Sequence, residues 1–357
     1  MIDEDDGPRL IACTVERRGR FLVASPFFDE GQQLALGRRS GQAVQAGELV
    51  VVEQSRGSAR VVERLGSPDD VGHVLRALLL QRGLAREWPE DALREAREVS
   101  REHEPEGRRD DLLALDAITI DPPTARDFDD AISIEPDGDG VRAFVHIADV
   151  ASYVKPGGAL DDEAERRTCS VYVPGSVEPM LPLALSADAC SLRPGEVRRV
   201  VSIEVRIGAD GVPGAPRVRR ALIRSRARLS YDEAHEVLAG TKRHPHGDLL
   251  ARADALARDL RARRHARGAF TLAARELSFE VDDGHVVAAH WDEEPRAHAL
   301  VEELMLLANE AVGGLLARAK RPALYRVHEH PKHEALLAMA DRLEALGLPV
   351  APLPERA

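Results

Sequence analysis

The segment IDPPTARDFDDA, residues 120–131, sets Asp121, Asp127, Asp129 and Asp130 among Ile120, Phe128 and Ala131, apolar residues that fold inward. Two carboxylates about 4 Å apart repel by roughly 4 kcal/mol at an effective dielectric near 20. A fold that half-buries four of them together must place positive charge between them. Pro122-Pro123 excludes helix and forces a bend, which returns Asp121 toward the other three. If residues 128–134 are extended, Asp127 and Asp129 share one face and Asp130 lies opposite. Oxygen ligands on short side chains suit a hard cation, magnesium or manganese above others. A solvated acidic loop is the plainer alternative. An EF-hand is excluded, because its D-x-D-x-D-G run and its glutamate at the twelfth position are both missing.

The chain of 357 residues is too long for one core of ordinary size, so two or more domains are expected. Its net charge of −12 argues against a protein whose main task is to coat nucleic acid, though not against a local basic channel. No apolar run approaches the ~20 residues of a membrane span, and the amino terminus is acidic where a signal peptide would be basic. Cys13, Cys169 and Cys190 are scattered and lack CxxC spacing, which fits reduced thiols in the cytoplasm.

Short Val-rich strands over residues 9–66, with turns at 17–20 and 55–58, predict a small barrel. Apolar residues at 71, 74, 75, 78 and 79 predict a helix stopped by Gly83, and a second helix follows Pro89. A linker is expected at 105–111. Beyond it the pattern predicts three strands around the aspartates, a hairpin turn at 136–140 and a helix at 160–167. Strands at 200–207 and 217–224 follow, then helices at 232–239 and 248–266, strands at 276–282 and 285–291, and helices at 297–318 and 332–346.

With TIDPPTARDFDDAISIE come FVHIADVASYVKPGG, the SVYVPG stretch and HALVEELMLLAN, in that order. Together they resemble the catalytic (RNB) domain of the ribonuclease II/ribonuclease R family. The resemblance implies an α+β chain: a cold-shock-type, OB-like RNA-binding barrel at 1–67, a helical linker at 68–111, and a mixed α/β RNB catalytic domain from 112 to 357. That domain is expected to be incomplete, with the family's arginine motif and S1 domain lying beyond residue 357. The implied activity is processive 3′→5′ hydrolysis of single-stranded RNA to nucleoside 5′-monophosphates by a monomeric cytoplasmic enzyme. Asp121, Asp127, Asp129 and Asp130 match the family's catalytic, magnesium-binding aspartates, with Mn²⁺ as the alternative ion.

The family likeness also gives Tyr172 and Phe279 as an aromatic clamp on the 3′-terminal base. Tyr231 and one of Glu302 and Glu303 become ribose contacts. Strand alternation makes His146 a structural histidine, and Asp149 an outer hydrogen-bonding group at most. The arginine-rich stretch 217–228 lines an RNA path or forms a solvated strand face. Two rival functions stay open: a non-catalytic RNA-binding or regulatory relative, including a piece that only binds RNA, and a metal-dependent phosphohydrolase of small molecules.

Overall fold

The computed structural model describes residues 9–36, 44–55, 58–101, 107–271, 276–292, 296–327 and 329–350. It divides into two compact units, Met1–Ala308 and Asn309–Ala357.

The first unit opens with five strands: β1 (Arg9–Arg18), β2 (Phe21–Pro26), β3 (Leu34–Ala35), β4 (Leu49–Ser55) and β5 (Ser58–Gly66). Their order is β3-β2-β1-β4-β5, and a parallel bridge from Leu36 to Ala59 closes the ends into a barrel. The β1–β2 turn works because Gly19 takes a positive φ of 61°, a region costly for residues with a Cβ. The middle of the expected turn at 55–58, Arg56-Gly57, lies outside the described residues.

The unbroken Leu49–Val52 run has a physical reason. Val50 and Val52 point inward with Cys13, Val15 and Ala24. Leu49 and Val51 point outward with Ala12, and Ala77 of a covering helix packs on them. That helix is α1 (Val71–Gln81), opened by the Asp70 carboxylate accepting from the His73 amide at 3.0 Å. Gln81 ties it to the barrel by accepting from the Ala12 amide at 2.8 Å. A strand buried on both faces loses its polar alternation.

After α2 (Glu90–Val99) come β6 (Asp110–Asp111), β7 (Ala117–Asp121), β8 (Asp130–Asp137), β9 (Gly140–Ala148), α3 (Ala159–Arg167), and the short pair β10 (Val171–Val173) and β11 (Ser176–Glu178). Next are β12 (Val197–Ile207), β13 (Arg217–Ser230), α4 (Tyr231–Leu238), α5 (Gly247–Ala266), β14 (Glu276–Asp282), β15 (His285–Asp292) and α6 (Arg296–Arg318). The large sheet runs β12-β9-β8-β7-β13-β6, and β12 pairs with β13 as well, so five of its strands close on themselves. One face carries a core of Ala92 and Ala96 from α2, Leu160 from α3, Leu185, Leu192, Val200 and Ile223. On the other side α5 packs against β8 and α4 against β7.

The second unit contains the last turns of α6, from Asn309, and α7 (His333–Ala345). Ala340 is the buried residue of α7, while Leu324, Val327 and Leu346 are exposed. The final residues of the chain, 351–357, lie outside the described residues.

Leu49 is fully buried between barrel and helix. Leu49→Ala is expected to destabilise the amino-terminal barrel by about 2–5 kcal/mol. A lowered urea midpoint with an unchanged slope, followed by circular dichroism, would show this.

Candidate active site

The four aspartates sit where β7 ends, along the turn that follows, and where β8 begins. Asp121 is the last residue of β7, paired with Ser230 on β13. Asp130 is the first residue of β8, opposite Ile147. Residues 122–129 lie outside any strand, and the β8 ladder begins at Asp130. The physical cause is a set of side-chain bonds that replace the strand ladder. Ser191 Oγ accepts from the Phe128 amide at 3.1 Å and donates to the Arg126 carbonyl at 2.9 Å. Arg228 donates to the carbonyls of Pro122 and Pro123 at 2.7 and 2.9 Å. Its guanidinium also lies 5.5 Å from the centre of the buried Phe128 ring. The loop is therefore pinned from β13 on one side and from the 191–192 segment on the other.

Burial and crowding raise the pKa of three of the four carboxyls. Asp121 is pushed up to about 7, first by burial and then by the charge of Asp130, with Arg228 pulling the other way. Asp129 is raised to about 6 by desolvation and by Asp127. Asp130 reaches about 6 through burial and Asp129. Asp121 does not turn away from its companions. Its Oδ2 is buried and has no hydrogen-bond partner, a condition that costs free energy unless a ligand meets it. Donor type, shared charge and the orphaned oxygen fit a hard divalent ion. The carboxylates come together in pairs, however, and among the described residues no three such side chains converge as the ligands of one ion.

The aromatic positions divide. Tyr172 is 65% exposed on β10, and its hydroxyl donates to Asp127 Oδ2 at 2.7 Å. Tyr231 is the first residue of α4, after an N-cap in which Ser230 and Glu233 bond reciprocally. It also lies in the field of Asp130 and Asp121, and burial and those charges push its phenol up to about 12. Its ring centre is 5.2 Å from that of His298, so α4 and α6 meet beside the aspartates. His298 opens the HALVEELMLLAN stretch, where the sequence alone assigns it no role. Phe279 stands half exposed on the β14–β15 hairpin, opposite Ala289.

Glu302 and Glu303 are not equivalent. Glu303 is buried and accepts from Arg264 Nη2 at 2.6 Å; Glu302 is 42% exposed and 3.6 Å from the same nitrogen. His298 and Glu302, four residues apart, share a face of α6.

The secondary candidates are structural. His146 is fully buried, its Nε2 is 3.1 Å from Ser133 Oγ, and burial together with Arg219 depresses its pKa to about 3. Asp149 is buried between Arg109 at 2.6 Å and Arg220 at 3.1 Å. Much of the 217–228 arginine stretch is likewise committed to the protein: Arg219 to Glu204 and Asp110, Arg226 to the Leu113 carbonyl, and Arg228 to the proline carbonyls.

A closed barrel followed by a mixed sheet with an acidic centre at the β7–β8 junction defines the class. A family model described as the RNB domain matches residues 109–352, more than half of the chain, and the chain belongs to the RNB family. Ribonuclease R of Thermotoga maritima is 39% identical over 303 residues, 81% of this chain and 42% of its own length. Ribonuclease R of Escherichia coli is 33% identical over 318 residues, 85% of this chain and 39% of its own. The chain thus spans about two fifths of the length of these relatives. Among solved structures, Mycoplasma genitalium RNase R in complex with double-stranded RNA matches with a TM-score of 0.87 and 26% identity, over 99% of this chain and 65% of that one. Yeast Ssd1, a pseudonuclease, matches at 0.70 with 16% identity and shares the fold.

The three raised carboxyls make stability depend on pH. Their folded-state values lie above the ordinary aspartate value near 3.9, so folding takes up protons between the two. The associated stability is complete below about pH 4 and is lost as pH rises through about 6 to 7. In chelator, the melting temperature is expected to fall from pH 5 to pH 8, and Asp121→Asn should flatten that slope in calorimetry.

Proposed function

We propose that the protein to which this chain belongs is a processive 3′→5′ exoribonuclease that hydrolyses single-stranded RNA to nucleoside 5′-monophosphates. The observation that carries this reading is the group of mutually raised aspartates with an orphaned buried oxygen, set beside an exposed tyrosine in a member of the RNB family. Relatives bearing the name Ribonuclease R support the reaction class.

Asp121, Asp127, Asp129 and Asp130 would hold Mg²⁺, with Mn²⁺ as the alternative. A bound divalent ion supplies neutralisation of the phosphodiester charge and a water acidic enough to act as nucleophile near neutral pH. The protein's own part is to bind and orient. The exposed Tyr172 ring offers a stacking surface worth roughly 1–3 kcal/mol per base without reading sequence. Phe279 is the opposing aromatic in this reading, which requires the β14–β15 hairpin to approach the RNA end. Tyr231 and Glu302 contact the ribose, and a 2′-hydroxyl contact lets such a site distinguish RNA from DNA. Glu302 is favoured over Glu303 because Glu303 is buried against Arg264.

In this reading the amino-terminal barrel, 1–67, is the cold-shock-type RNA-binding domain, 68–111 the helical linker, and 112–357 part of the catalytic domain. The protein acts as a cytoplasmic monomer, and no helix among the described residues is long and apolar enough to cross a membrane.

The second reading is a non-catalytic RNA-binding relative. Its support is that the pseudonuclease Ssd1 shares the fold. Retention of all four aspartates favours hydrolysis.

The test is incubation of the protein with a 3′-labelled single-stranded RNA and Mg²⁺. Mononucleotide release is expected, lost by at least about 100-fold in Asp129→Asn, with RNA affinity within about threefold of the parent. RNA binding without product would select the second reading. Release that survives Asp129→Asn would exclude the assigned site. Glu302→Gln should lower discrimination between RNA and DNA, whereas Glu303→Gln should lower the melting temperature.

A further inference from the structure

The β10–β11 pair is three residues to a side, with Gly175 at a φ of 77° in its turn. So small a ribbon has little stability of its own. Tyr172 reaches from it to Asp127 Oδ2 at 2.7 Å, and the ring stays largely in solvent. A side chain this exposed is not held there by core packing. A phenol is protonated near neutral pH, so the hydroxyl is the donor and the carboxylate oxygen the acceptor.

Asp127 lies in the pinned but irregular loop 122–129. Among the described residues no other side chain bonds its carboxylate. The backbone anchors from Ser191 and Arg228 fix where the loop runs, and they leave the two side-chain torsions of Asp127 unset. A single strong O–H···O⁻ bond at the carboxylate sets them.

We infer that Tyr172 is a positioning residue for Asp127: its hydroxyl fixes the carboxylate rotamer while the faces of its ring remain open to a base. The inference rests on the proposed reading of the aspartates as metal ligands and adds a separate claim, that one side chain joins the grip on RNA to the metal site. Orienting bonds of this kind commonly govern ligand affinity, since removing the partner of a metal ligand costs about 10–100-fold. Metal affinity and RNA affinity should then respond to different parts of Tyr172.

Three variants separate the parts: Tyr172→Phe, Tyr172→Ala and Asp127→Asn, the last also combined with Tyr172→Phe. Mn²⁺ affinity is read from the spin-resonance signal of free Mn²⁺ without RNA, and RNA affinity from a labelled single-stranded oligonucleotide in chelator. Tyr172→Phe is expected to weaken Mn²⁺ binding about tenfold, at the low end of the usual range, and to leave RNA affinity within about twofold. Tyr172→Ala should lose both, with RNA weakened at least about fivefold. On the Asp127→Asn background, removing the hydroxyl should change Mn²⁺ affinity no further, a non-additivity that a purely structural role would not produce. Parent-like Mn²⁺ binding in Tyr172→Phe overturns the inference and leaves the proposed function standing. Equal losses of Mn²⁺ and RNA affinity in Tyr172→Phe overturn the division of labour. A parent protein that binds no Mn²⁺ at millimolar concentration overturns the metal reading and this inference with it.

Discussion

Mutual repulsion among Asp121, Asp127, Asp129 and Asp130 is the constraint to which much of the surrounding structure answers. Desolvation and neighbouring charge raise three of these carboxyls, which means the fold holds them against their preference. What holds them is mostly neutral geometry. Ser191 and Arg228 bind the backbone of loop 122–129, and Phe128 buries its ring in the core below. Arg228 also brings a positive charge whose field lowers Asp121. One guanidinium cannot offset four carboxylates, so the charge balance stays open to a cation. The same segment thus combines a pinned backbone with an unmet electrostatic demand, and its carboxylates, which meet in pairs, have to converge further to surround one ion.

Other buried charges in the molecule are settled internally. Asp149 has Arg109 and Arg220, Glu163 has Arg167, Glu303 has Arg264, and Asp254 has Arg296 and Arg258. Buried ions are tolerated when paired, and these pairs follow that rule. Asp121, with an oxygen left over, breaks it. Among the described buried carboxylates, the contrast sets Asp121 apart from those paired with arginines.

Elements whose signal is local were legible before the structure. The Gly19 turn, the helix after Asp70 and the long helix 247–266 came out within a residue or two, because caps, glycines and apolar spacing lie close together in the chain. What depended on distant partners was not legible. The anchoring of the loop ahead of β8 is one such case: Ser191, sixty-three residues away, takes the Phe128 amide. For the 217–228 arginines an RNA path and a solvated strand face were both open, yet three of them hold partners up to 113 residues away, at Asp110, Leu113 and the two prolines. The two glutamates of α6 were indistinguishable on paper; Arg264, on α5, separates them. His298 opens the HALVEELMLLAN stretch, but its place beside Tyr231 arises only from the meeting of α4 and α6.

Distance from the aspartates also orders the candidate contacts by how much each depends on motion. Tyr172 and Tyr231 are already in the field of the carboxylates, one through a hydrogen bond and one through burial and charge. Phe279 is carried on a two-stranded hairpin whose recorded backbone anchor is at its tip, where the Gly284 carbonyl accepts from the Val71 amide at 2.7 Å. A hairpin tethered at one end and solvated along its strands belongs to the low-stability part of a fold. If Phe279 closes on a base, the ribbon must pivot about that tip, and the cost of ordering it comes out of the stacking energy. Tyr172, fixed from the outset, bears no such cost. In the proposed clamp the two aromatics are therefore unequal: Tyr172 is bonded to the acidic loop, while Phe279 stands on a hairpin tethered at its tip.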